Sequence, residues 1–81
     1  MGIEYKIKFV VPDNFNPATL FMKLPSPIAR ATMTEIYNYE IESDGFYFID
    51  HLVNKDVAAV ALRLFIDEAL AHSQVVHILE P

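Results

Sequence analysis

Eighty-one residues, no cysteine, 6 basic against 11 acidic side chains and a net charge of −5 describe one small acidic domain over residues 1–81. The missing cysteines exclude disulfides and thiolate chemistry. The cations Lys6, Lys8, Lys23, Arg30, Lys55 and Arg63 are scattered, which argues against a nucleic-acid partner. No apolar run reaches the ~20 residues that cross a bilayer, so no membrane partner is expected.

Isoleucine, tyrosine and phenylalanine alternate with Glu4, Lys6 and Lys8 from Ile3 to Val11, the pattern of a half-buried strand. Pro12 stops it, and Asp13-Asn14 suits a turn. Asn16-Pro17 looks like an N-cap followed by proline at the first helical position. A short helix is therefore expected over Pro17 to Lys23, with Leu20, Phe21 and Leu24 inward. Pro25-Ser26-Pro27 ends it and forces an extended path.

Thr32 to Ser43 is rich in residues that favour strands. Asp44-Gly45 signals a two-residue hairpin loop, after which Phe46 to Leu52 returns. With that loop, Ser43 pairs with Phe46, Ile41 with Phe48 and Tyr39 with Asp50. Tyr37, Tyr39, Ile41, Phe46 and Phe48 then share the core face. Ile36, Asn38, Glu40, Glu42, Tyr47, Ile49 and His51 share the other.

The clearest element is the helix 54–72. Asn54 is a good N-cap, Asp56 suits the first turn, and no glycine or proline interrupts it. Ala58, Ala61, Leu62, Phe65, Ile66 and Ala69 form one apolar face; Val57, Val60, Leu64 and Ala71 form a second strip. Residues 12–28 or another subunit would cover that second strip. Gln74 to Glu80 supplies a last strand with His77 outward and Val76 and Ile78 inward.

The order of elements predicts an α+β, ferredoxin-like β-α-β-β-α-β sandwich with a short first helix. Its four-stranded antiparallel sheet is covered on one face by the helix 54–72, most simply in strand order 4-1-3-2. The fallback is the same sheet with a single helix across it.

Chemistry-bearing motifs are scarce. His51 and His72 flank the long helix and so lie roughly 30 Å apart. No metal site is expected. Asp50 and His51 are strand neighbours pointing to opposite faces, which argues against an acid–base pair. There is no nucleophile elbow, and two glycines cannot build a phosphate cradle. No catalytic residue and no cofactor is assigned.

The hydrophobic share of 53% is high for a chain that buries only about 60–65% of its unfolded surface. The expectation is a small, non-enzymatic, cytoplasmic protein-binding or regulatory protein, working as a homodimer or on a partner, a basic one suiting its acidity. Its contact residues are expected among Val57, Val60 and Leu64 on the helix and Tyr47 and Ile49 on the open sheet face. The alternative is a ferredoxin-like dimeric enzyme or ligand sensor with a pocket between sheet and helices, using Lys6, Tyr47, His51 and His77.

Overall fold

The computed structural model describes residues 2–81. Strand β1 (Ile3–Lys8) is followed by helix α1 (Ala18–Lys23) and a two-stranded ribbon, β2 (Ile28–Ala29) and β3 (Thr34–Glu35). Strands β4 (Tyr37–Glu42) and β5 (Gly45–Asp50) form a hairpin, followed by helix α2 (Lys55–His72) and strand β6 (His77–Leu79). The main sheet runs β4-β5-β1-β6, and every neighbouring pair is antiparallel.

This is a small α+β unit with a four-stranded antiparallel sheet. It departs from a regular β-α-β-β-α-β chain in two ways. Helix α1 has only six residues, and the β2–β3 ribbon intervenes in the chain between it and β4. The expected strand from Thr32 to Ser43 is thus divided. Thr34–Glu35 pairs with Ile28–Ala29, while Tyr37–Glu42 joins the sheet. The division falls at Ile36, whose N–H donates to Pro27 O at 2.7 Å and whose carbonyl accepts from His51 N at 3.0 Å. Its side chain, expected on the open face, is buried.

Helix α2 begins where Asn54 Oδ1 accepts from the N–H groups of Asp56 and Val57, at 3.1 and 3.2 Å. Such a cap contributes about 1 kcal/mol. Ala58, Ala61, Phe65 and Ala69 form its buried stripe, with Leu62 and Ile66 at the margin. The small alanines bring the helix close to the sheet, and Phe65 fills the remaining space. Its ring centroid lies 5.0 Å from Tyr39, 5.3 Å from Phe46 and 5.7 Å from Phe48.

Proline 17, rather than Asn16, occupies the cap position of α1, and Asn16 Oδ1 instead accepts from Ala18 N at 3.0 Å. Leu20 is buried, but Phe21, expected inward, is 41% exposed. The Tyr37 hydroxyl donates to Pro25 O at 2.6 Å, tying the proline-rich segment to the start of β4.

The hairpin differs in register from the expected one. Its loop is Ser43-Asp44, so Glu42 faces Gly45, Ile41 faces Phe46 and Tyr39 faces Phe48. The positive φ falls at Gly45 (147°), and neither loop residue has one. Every pair moves by two positions. Because side chains alternate with period two, the faces survive the shift. Tyr37, Phe46 and Phe48 are accordingly buried, which removes these rings from any base-stacking platform. Strand β6 is shorter than expected. His77 does point to the open face, while Ile78, opposite Ile7 on the helix side, stays 48% exposed at the sheet edge.

Candidate binding face

Among the described residues, no element covers the face of the sheet turned away from α2. Its cross-strand rows follow from the register. Leu79, Lys6, Tyr47 and Glu40 form one row; His77, Lys8, Gly45 and Glu42 the next; Glu4, Ile49 and Asn38 a third. Gly45 leaves a gap in its row. Through it the Lys6 ammonium reaches across to Glu42 Oε1 and to Asp44 Oδ1, the latter at 2.7 Å. Lys8 lies 3.8 Å from the other Asp44 oxygen. The hydrogen bonds to Asp44 and Glu42 hold the Lys6 ammonium above its ordinary range, and the Lys6 hydrogen bond holds Asp44 below the usual carboxylate range.

Tyr47 donates to Glu4 Oε1 at 2.6 Å. That bond, with partial burial, pushes its hydroxyl up to about 12. Tyr47 and Ile49 are half-buried between these polar rows. Lys6 and Tyr47 are direct cross-strand neighbours, and His77 is the neighbour of Lys8. These three candidate residues therefore share one end and middle of the face.

His51 does not join them. It continues β5 past Asp50, next to Asn38 Nδ2 at 3.0 Å, whereas His77 faces the far end of β1. About six residues of strand, on the order of 20 Å, separate them along the sheet. Asp50 Oδ1 accepts from Leu52 N at 2.8 Å in a local turn and takes no part with His51. His72 sits by Glu68 Oε2 at 3.0 Å and edge-on to Phe15. Among the described residues no three His, Asp or Glu side chains converge as a metal site would require.

On α2, Val57 and Leu64 are half-buried and pack against the core, leaving Val60, at 54%, and Ala71 as the exposed members of the strip. Helix α1, within the segment 12–28, contacts α2, and its Leu20 joins the core cluster that holds the buried stripe of that helix. One feature escapes sequence reading, a cleft of about 340 Å³ at the β1–β6 corner, lined in part by Lys8, Val10, Val75 and His77. Val10 and Val75 are conspicuous in the sequence only as apolar residues outside the alternating pattern.

The buried Tyr37 hydroxyl is also pushed up to about 12, chiefly by burial. A raised acid pKa in the folded state means that the folded chain holds a proton which the unfolded chain releases from pH 10. Stability is then fully present below pH 10 and is lost as pH rises through about 12. Lys6 acts in the same direction above its ordinary 10.5. The urea midpoint is expected to fall steeply across this range, and less steeply in Tyr37→Phe. A midpoint that stays level to pH 12, or equal slopes in both proteins, would contradict the assignment. At neutral pH the lost hydroxyl contact should cost Tyr37→Phe about 1 kcal/mol.

Compared with protein-family models, curated proteins and solved structures, the chain matches none. No helix among the described residues is long and apolar enough to cross a membrane.

Proposed function

We propose that this chain is a small non-enzymatic binding or regulatory protein of ferredoxin-like type that works as a homodimer through the open face of its sheet. The observation that carries association is unsatisfied surface, spread over the chain, with Leu79 its member on the open face. The chain exposes 5397 Å², whereas an ordinary monomer of its mass exposes about 4,900 Å². Fourteen large apolar side chains are among those exposed.

The open face is favoured over the helix strip because no element of the described residues covers it, while Val57 and Leu64 already pack inward. Charge distribution favours a second copy as the partner. Lys8 and His77 lie on the β1–β6 half and Glu40 on the β4 half, while Lys6 is already paired with Glu42 and Glu4 with Tyr47 inside the chain. A two-fold axis along the strands would set unlike halves against each other, and isologous contacts of this kind are the commonest in soluble oligomers.

Light scattering behind a sizing column, across a dilution series, tests the reading. The expected mass is twice 9.2 kDa. Ile49→Asp should shift it to the monomer with unchanged circular dichroism, and Val60→Asp should leave it dimeric. A monomer at every concentration would sink the proposal. Dissociation by Val60→Asp alone would move the contact to the helix.

A further inference from the structure

We propose that the cleft at the β1–β6 corner binds a small amphipathic carboxylate, an apolar tail of a few carbons bearing one anionic head. The cleft forms because β6 pairs with β1 only as far as His77 opposite Lys8. Beyond that pair the two segments part, and Phe9-Val10 on one side and Ser73 with Val75 on the other flank a shallow, open cleft of about 340 Å³. This lies at the lower end of the range for small-molecule sites.

The walls are apolar. Phe9 is buried beneath, but Val10 is 80% exposed and Val75 62% exposed, so two valines stand largely open to solvent. The mouth is polar. Lys8 and His77 are cross-strand neighbours there, beside Asp44. Asp44 is already engaged by Lys6 at 2.7 Å, and its contact with Lys8 is long, at 3.8 Å. The Lys8 ammonium therefore keeps donors free for an incoming anion. A carboxylate can accept from Lys8 and His77 together while its tail covers the valines. Acetate alone would lack the apolar contact, and a neutral alcohol would lack the charge-assisted bonds.

Binding is read by titrating the isotope-labelled protein with sodium hexanoate, acetate and 1-hexanol, following amide shifts, with the mass recorded in the same samples. Hexanoate is expected to give saturable shifts at Phe9, Val10, Val75 and His77, with a dissociation constant on the order of 1 mM for so few atoms. Acetate and 1-hexanol should each bind at least about tenfold more weakly, and Lys8→Gln should weaken hexanoate by about tenfold. Lys8 is about half exposed, so its replacement leaves the fold intact. Absence of saturable shifts with hexanoate overturns the proposal. So does equal binding of 1-hexanol, or hexanoate binding unchanged in Lys8→Gln, either of which would mark a bare apolar dent. The recorded mass separates this outcome from failure of the dimer reading, since ligand shifts at the cleft require no particular assembly state.

Discussion

Gly45→Ala should leave the domain largely unfolded at room temperature, or lower its melting temperature by 15 °C or more, on the order of 3 kcal/mol or above. Two independent effects combine at this position. Its φ of 147° lies where residues with a side chain are strained. A Cβ there would lie 1.9 Å from the Ile7 carbonyl oxygen and 3.0 Å from the Lys8 Cα. Both obstacles are backbone atoms of the central strand, so no rotamer change relieves the overlap. Strand β5 would have to move away from β1, opening the sheet where Lys8 faces Gly45. A domain of this size has about 4–12 kcal/mol in total. Urea unfolding followed by circular dichroism measures the effect. A variant within 1 kcal/mol of the parent would show that the close approach of β5 to β1 is wrong. Lys6 gives a second readout, because its path to Glu42 crosses Gly45, and the dispersed Lys6 signals should collapse along with the sheet.

Phe65→Ala should cost about 3–5 kcal/mol, the range for deleting a fully buried aromatic ring. Phe65 has no exposed surface and lies centrally between α2 and the sheet, touching Tyr39, Phe46 and Phe48. Its helical neighbours on the buried stripe are Ala58, Ala61 and Ala69, which have no spare atoms to fill the hole. A helix stripe that presents one large ring between alanines leaves a hole its own neighbours cannot fill when that ring is lost. Phe65→Leu retains most of the volume and should cost less than half as much. If both variants unfold at the parent's urea midpoint, α2 does not dock on the sheet through this ring.

These two predictions also show what could be read before the fold was known. Phe65 was legible, because the spacing of Ala58, Ala61, Phe65 and Ala69 is a helical stripe whatever packs on it. The Asn54 cap was legible for the same local reason, its side-chain oxygen being within reach of the next amides in any chain that turns there. Gly45 was legible only in part. Glycine after Asp44 marks a hairpin, but the loop lies one residue earlier than the usual signal implies, and the residue's larger role is to admit the Ile7 carbonyl. That carbonyl comes from a strand some forty positions away in sequence, so no local pattern announces it.

The candidate binding face divides in the same manner. Alternation alone put Lys6, Lys8, Tyr47 and Ile49 on one side, because a pleat inverts at every residue. It could not place Ile36, which alternation sends outward but which turns inward at the junction between the ribbon and β4. Nor could it separate His51 from His77 along the sheet, since their distance depends on which residues of β1 each strand faces.

Local periodicity and composition specify the helix α2 and its buried stripe, the faces of β1, β4 and β5, and the acidity of the whole. Those are short-range consequences of helical and strand periodicity and of composition. Long-range pairing sets the two-position shift of the hairpin, the ribbon formed by residues 28–35, the reach of Lys6 over Gly45 to Glu42, and the cleft where β6 leaves β1. Each of these depends on which distant backbone lies alongside, and long-range pairing is settled by the packing of the whole chain.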